Sequence, residues 1–346
     1  MVYTFELIKH SNIRYREAAI RLSRCELFSM LHALSIDCEI TVETLGGATF
    51  LTFECRELNS EELHHLSAHS SVAFMAEKRP GPALIPLTAG FVPYLPEDLP
   101  EVLKYKGKTS VPFTRMMINT AVALTPYAFP QQPITFYDPV CGKATGCFCA
   151  LMLGMNAVGL DQDAKALRES AVYFSRYLQY HKLKHEKEER SETLGKRSVP
   201  VTCFTFSDTR EHFQAGDRRS LSLAAADTSL SPVLFRHRPV HVIAADLPYG
   251  IQHTPREGGK PESLKGFLER SVPVWRSVMA PGAAIALSFN TLTLPASTVR
   301  ELLRGAGLQP VDTEPYTSLK HEVEQAVVRD VVFACNTEEE LNHDQE

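Results

Sequence analysis

Apolar stretches of strand length, each closed by an acid, recur through the later part of the chain. Ile134-Thr135-Phe136-Tyr137 ends at Asp138, Ala157-Val158-Gly159-Leu160 at Asp161, Leu221 to Ala226 at Asp227, and Val240 to Ala245 at Asp246. Such runs scarcely alternate with polar residues, which predicts strands covered on both faces, as in a parallel sheet. Between them the pattern predicts helices over Cys147–Leu153, around Ser263–Met279 and over Ser297–Gly305, with Pro281-Gly282 turning the chain into a strand from Ala283 to Phe289. A last pair of strands is expected near Glu314 and over Val327–Cys335. Strands alternating with helices predict an α/β domain with a doubly wound, mostly parallel sheet. Val201–Phe206 is apolar too, with Asp208 just beyond it. The Leu221 run lies nearer the Asp246 strand, so Val201 through Gly216 reads as an inserted hairpin.

The first part of the chain has another rhythm. From Tyr3 to about Met75 it reads strand, helix, two strands, helix, strand, with Ile20, Leu27, Leu31 and Leu34 on one helical face. Glu39–Glu43 and Thr49–Phe53 flank Gly46-Gly47, a hairpin signal. Asn59 with Glu62 three residues on is a capping-box pattern. Residues 1–78 are therefore expected to form a small α+β domain of ferredoxin-like kind. Arg79-Pro80-Gly81-Pro82, Pro86, Pro93, Pro96 and Pro100 punctuate a linker over 79–103. A larger domain is expected over 104–336, and the acidic tail 337–346 is expected to be disordered.

The residues next to these acids give them chemical meaning. Asp138 opens Asp-Pro-Val-Cys-Gly-Lys-Ala-Thr-Gly, a glycine-bearing turn into a helix, which is the nucleotide-binding half of a doubly wound sheet. Neither G-x-x-x-x-G-K-[ST] nor G-x-G-x-x-G is present, and an acid heading the turn favours a cationic ligand over a pyrophosphate. S-adenosylmethionine, with its ammonium and sulfonium, meets that requirement. In this frame Asp138 faces the cofactor or caps the turn. Asp161 accepts bonds from ribose hydroxyls, with Asp163 as the alternative, and Asp227 meets the adenine amine or caps a turn. Pro139, Cys141 and Gly142 supply turn geometry and backbone contacts, with Thr145 and Gln162 beside them. Arg115 and Asn119 are expected to reach in from the preceding helix.

The second constellation is Asp246-Leu247-Pro248-Tyr249-Gly250. Asp246 and the Leu247 carbonyl can accept both N–H bonds of an exocyclic amine, Pro248 stiffens the turn, and Tyr249 offers a ring for a flipped base to stack on. His253 nearby reads as a structural or exposed loop histidine ahead of a general base.

DPVCGKAT and DLPYG together resemble the class I S-adenosylmethionine-dependent methyltransferases of the Trm11-like group, which methylate guanine N2 in tRNA. Lys104-Tyr105-Lys106-Gly107-Lys108-Thr109 with Phe113–Asn119 is similar to the lead-in segment of bacterial members, and His321–Asp330 to their closing hairpin. The resemblance covers roughly Lys104 to Asn336, with a weaker likeness before it. It implies a Rossmann-like class I methyltransferase fold with an antiparallel closing strand and S-adenosyl-L-methionine as cofactor. It also implies a tRNA or other structured RNA substrate selected by the N-terminal domain, and a small activating protein partner. The family's DPxCGxGT has glycine where this chain has Ala144. The same D-x-P-Y motif would serve an adenine N6 methyltransferase acting on DNA or rRNA, and a methyltransferase-like RNA-binding module without catalysis stands as a further alternative.

Composition narrows the class. The 346 residues are 44% hydrophobic, enough for a large core, and carry a net charge of −5, which argues against polyanion binding by bulk charge. The cations are clustered, at Lys104, Lys106 and Lys108, at Lys182, Lys184, Lys187, Arg190, Lys196 and Arg197, and at Arg236, His237 and Arg238. Local patches of this kind can meet phosphates. The second, mixed with Glu186, Glu188, Glu189 and Glu192, reads first as a solvated helix face. Eight cysteines without a C-x-x-C give neither a disulfide framework nor a zinc pattern. With no signal-peptide pattern and no apolar run long enough to span a membrane, a cytoplasmic location and no membrane partner are expected.

Overall fold

The computed structural model describes residues 1–10, 13–81, 83–88, 90–105, 108–129, 132–194, 197–235, 239–248, 256–257, 260–324 and 327–337. Of the residues singled out above, Pro82, Lys106, Gly107, Lys196, the Arg236–Arg238 cluster, Tyr249 through His253, Gln325, Ala326 and the tail from 338 lie outside the described residues.

The N-terminal unit runs β1 (Val2–Leu7), α1 (Ile13–Ala33), β2 (Ile40–Leu45), β3 (Ala48–Glu54), α2 (Ser60–Ser67), β4 (Val72–Lys78) and β5 (Leu84–Pro86). Its sheet order is β2-β3-β1-β4-β5 with every pair antiparallel, so the first four strands have the split β-α-β order. Gly46 and Gly47 take positive φ (57° and 84°), as a two-residue hairpin turn of the primed type requires. The Asn59 side chain accepts from the Glu62 amide at 3.0 Å and Glu62 accepts in return from the Asn59 amide at 2.9 Å, closing the capping box that starts α2.

The segment read as a linker adds β5 to this sheet, then forms α3 (Leu99–Val102), with Leu95 and Leu99 buried in the core of the larger unit. That unit continues with α4 (Val111–Ala123), β6 (Thr135–Asp138), α5 (Thr145–Met152), β7 (Asn156–Asp161), α6 (Ala164–Tyr180), β8 (His185–Leu194) and β9 (Arg197–Phe206). Next come α7 (Arg210–Ala215), β10 (Arg219–Ala225), α8 (Ser231–Leu234), β11 (Val240–Asp246) and a minimal pair, β12 (Arg256–Glu257) and β13 (Lys260–Pro261). The chain closes with α9 (Leu264–Arg276), β14 (Met279–Asn290), α10 (Ala296–Gly305), β15 (Gln309–Pro310), β16 (His321–Glu324) and β17 (Val327–Cys335).

The large sheet has the order β15-β17-β14-β11-β6-β7-β10-β9-β8, with β16 on β17. Its centre, β14-β11-β6-β7-β10, is parallel, and both flanks are antiparallel. Successive residues of each central strand enter opposite cores. Phe136, Ala157, Ala244 and Ala286 face the side of α4, α5 and α6, whereas Tyr137, Val158, Ile243 and Ile285 face α9 and α10. Period-two side-chain direction with both faces covered is why these strands read as continuous apolar runs.

Three expectations are corrected. Val201 through Gly216 is no inserted hairpin, because Val201–Phe206 belongs to β9, which pairs with β10 and β8 in the large sheet, and Arg210–Ala215 is α7. No strand forms at Glu314; the closing strands are β15, β16 and β17, and Glu314 lies in a turn whose bond to Pro315 is cis. The charged stretch from Lys182 to Arg197 is no helix face, because most of it is strand β8. Its ion pairs, Lys187–Glu189 at 2.7 Å and Arg190–Glu192 at 3.0 Å, join residues two apart, which share a face in a strand and not in a helix.

Candidate active site

From β6 the chain winds outward through β7 to β10, then returns to lay β11 on the other side of β6. At such a switch point the loops leave in opposite directions and open a crevice beyond the carboxyl ends of the strands. A cavity of about 580 Å³ occupies it, within the range of small-molecule sites. Asp138, Pro139, Cys141, Gly142, Asp161, Gln162, Asp246, Leu247 and Pro248 all line it, as does the alternative Asp163. So do Tyr105, Thr109, Met117, Lys143 and Phe267, to which the sequence assigned no role.

The turn after β6 is built around its acids. Gly142 has φ +51° and sends its N–H to Asp161 Oδ2 at 2.8 Å, while Asp161 Oδ1 accepts from the Asp163 amide at 2.8 Å. Asp161 thus ties the end of β7 to the turn that leaves β6. Helix α5 starts against Asp138: a Cβ on Gly146 would stand 2.8 Å from Asp138 Oδ2, so only glycine allows that approach. Asp138 is 7% exposed and accepts from the Val140 amide at 3.2 Å. Burial pushes its carboxyl up to about 8, against the pull of the Val140 N–H, and the charges of Asp161 and Asp246 push the same way as burial.

Asp246 ends β11 on the far side of the crevice. Its Oδ1 accepts from the Ser288 hydroxyl of β14 at 2.7 Å, its Oδ2 accepts from the Thr109 hydroxyl, and Arg329 Nη2 of β17 stands 3.5 Å from Oδ2. The Leu247 amide donates to the Ser288 carbonyl at 2.8 Å, which holds the chain extended one residue past the acid. Three segments remote in sequence therefore converge on one carboxylate. The lead-in segment and the closing hairpin contain Thr109 and Arg329, but nothing in the sequence singles out the two residues.

Four expected site residues are placed elsewhere. Thr145 donates or accepts at the Tyr105 hydroxyl, 2.8 Å away, and does not line the cavity. Asp227 caps a short turn through the Ser229 amide (2.9 Å), pairs with Arg270 (2.9 and 3.2 Å) and receives Gln162 Nε2 at 2.7 Å. Burial works against its charge, but Ser229 and Arg270 outweigh burial and hold the carboxyl below its usual range. Arg115 and Asn119 lie on the side of α4 away from Thr114 and Met117, which line the cavity. Arg115 Nη2 donates to the Ala68 carbonyl at 3.1 Å. Asn119 Nδ2 donates to the same carbonyl at 2.9 Å and to Glu26 Oε1 at 2.7 Å. The reason is Glu26 itself, a carboxylate of α1 with no exposed surface, which must find donors inside the protein.

Among the described residues no group of three or more His, Cys, Asp or Glu is arranged to hold a metal ion, and no helix is long and apolar enough to cross a membrane.

No protein-family model matches the chain, and no curated protein matches it in sequence. Solved structures resemble it distantly. TrmN from Thermus thermophilus matches with a TM-score of 0.39 at 16% identity, over 88% of this chain and 64% of that one. A precorrin-6y C5,15-methyltransferase from Geobacter metallireducens matches with a TM-score of 0.36 at 14% identity, over 68% of this chain and 95% of its own. An rRNA methylase from Streptococcus thermophilus matches with a TM-score of 0.36 at 9% identity, over 68% of this chain and 100% of its own. This chain thus corresponds to less than two thirds of the Thermus protein. Likeness at this level carries no functional information.

Proposed function

We propose that the chain is an S-adenosylmethionine-dependent methyltransferase that modifies an exocyclic amine of a base in structured RNA, with guanine N2 in tRNA as the substrate. The observation that carries this reading is the convergence of Asp138, Asp161 and Asp246 on one cavity at the switch point of the sheet. Among the described residues its lining has one cation, Lys143, which is already paired with Glu169 at 2.6 Å. Such a cavity suits a ligand that brings its own positive charge.

S-adenosylmethionine supplies an activated methyl group on a sulfonium. Asp138, buried at the head of the turn, would accept bonds from its cationic end, and Asp161, held by Gly142 and Asp163, those of the ribose hydroxyls. Leu160, Ala226 and Phe267 give an apolar wall for a flat ring. Across the crevice Asp246 and the Leu247 carbonyl would accept the two N–H bonds of the target amine and turn its lone pair toward the methyl group. As nitrogen took up the methyl group and the sulfonium left as a neutral thioether, the fixed carboxylate would stabilise the positive nitrogen and take its proton. Tyr249, next in the motif, would stack the flipped base.

Calorimetric titration with S-adenosylmethionine, then mass spectrometry of nucleosides from RNA incubated with protein and cofactor, tests the reading. It requires cofactor binding and N2-methylguanosine in tRNA. N6-methyladenosine would move the target to adenine, and absence of cofactor binding would end the assignment.

A further inference from the structure

We propose that Arg329 is a positioning residue that sets the carboxylate of Asp246 for reaction, an inference that rests on the methyltransferase reading above. Arg329 lies in β17, is 7% exposed, and brings Nη2 to 3.5 Å from Asp246 Oδ2. Its guanidinium lies 4.7 Å from the ring centroid of Phe113 in α4. Phe113 in turn meets the edge of His321, Arg329's partner across the β16–β17 pair, and His321 meets Tyr15 of α1. The arginine of β17 therefore lies against α4 and is aimed at the end of β11.

A buried ion pair is a poor device for stability alone, since apolar residues of similar volume often serve as well or better. Its position at the acid proposed to bind the amine gives it another use. Thr109 and Ser288 each donate to one carboxylate oxygen, but both are neutral hydroxyls and bring no charge to the carboxylate. A guanidinium is planar and only donates, and here it lies over the Phe113 ring. At 3.5 Å it contributes charge and plane while the hydroxyls contribute short directional bonds. Arg329 does not line the cavity, so its effect belongs to turnover and not to cofactor binding.

The test is a double-mutant cycle with Asp246→Asn, read as kcat and KM on the RNA substrate together with cofactor affinity by calorimetry. Arg329→Met should lower kcat roughly ten- to a hundred-fold, the effect of losing one charge-assisted contact, with KM and cofactor affinity nearly unchanged. Arg329→Lys, which keeps the charge, should recover part of that loss. In the Asp246→Asn background, Arg329→Met should cost nothing further, because its route to the reaction is gone. Where Arg329→Met fails to fold, Arg329→Gln takes its place in the same cycle. Losses that multiply across the cycle, or a raised KM at intact kcat, overturn the positioning role alone. A wild-type protein that binds cofactor and transfers no methyl group overturns the methyltransferase reading and this inference with it.

Discussion

Asp138 shows how much of the site's behaviour sits in one side chain. Its carboxyl is raised from the usual 3.8 to about 8, so the stability contributed by its neutral form is complete below about pH 4 and is lost as pH rises through 8. A cationic ligand needs the ionised form. Cofactor binding below pH 8 should therefore expel about one proton, and affinity should rise with pH up to that point. Calorimetry at about pH 7 in two buffers of different ionisation enthalpy measures the proton directly, and Asp138→Asn should abolish it. Zero release from the wild type would show that Asp138 does not meet the cation. Ala144 poses a different problem, since it sits at φ +64°, where the DPxCGxGT pattern it resembles has glycine. Left-handed backbone costs a non-glycine residue about 1–2 kcal/mol. Against this, its methyl is fully buried, worth about 0.8 kcal/mol, and glycine would add about 0.4–1 kcal/mol of unfolded-state entropy. These nearly cancel, so Ala144→Gly should shift stability by less than about 1 kcal/mol in denaturant melts. A larger gain would mean that the turn carries more strain than its dihedral implies. The acids that close the strands are legible in the sequence because an apolar run fixes where a strand ends. Thr109, Ser288 and Arg329 are not, because Ser288 and Arg329 meet Asp246 only through the order of strands and Thr109 only through the way the segment before α4 crosses the end of β11.

At the scale of elements, the hairpin of β8 and β9 separates pattern from consequence. In sequence its two strands look like an insertion and a charged helix face, which would make them dispensable. The pairing of β9 with β10 instead extends the central sheet, and Phe204 and Phe206 of β9 both contact Phe174 of α6 edge-on at 5.2 Å. Both are fully buried. Phe204→Ala should then cost about 3–5 kcal/mol, as for other core phenylalanines. An appended hairpin would lose almost nothing, so urea unfolding decides between the two. The strands β6, β7, β10 and β11 are legible as long apolar runs with a helix or turn between them. Of the closing pair, the expected strand Val327–Cys335 is β17, whereas the one expected near Glu314 is misplaced because β15 and β16 are too short to carry a period. Arg115 and Asn119 fail for a related reason: the helix α4 is legible, but the face it turns to the cavity depends on what α1 covers.

The whole molecule is less divisible than its sequence suggests. Proline spacing over 79–103 marks irregular backbone, which is a different property from independence of the parts it joins. Leu22 and Cys25 of α1 belong to the same core as Met116, Ile118 and Phe148 of the larger unit. Around that contact the seam is polar and closed. Glu26 accepts from the Ser70 amide (2.8 Å) and from Asn119 (2.7 Å), Ser29 donates to the Tyr316 hydroxyl (3.0 Å), and Arg21 donates to the Lys320 carbonyl (3.1 Å). If residues 1–78 select RNA, the natural separation of roles would be a chain beginning at Pro100. The structure predicts that such a chain fails first for a simpler reason. It would expose to water the apolar side of α4 that Leu22 and Cys25 of α1 cover, at a cost of about 25 cal/mol per Å² of apolar surface. The truncated chain should melt well below the full chain or aggregate, with cofactor affinity reduced because Thr114 and Met117 of the same helix line the cavity. Calorimetric melting and cofactor titration of the truncated chain check this. Unchanged values for both would show that the larger unit folds without α1, and would return RNA selection to a separable N-terminal domain.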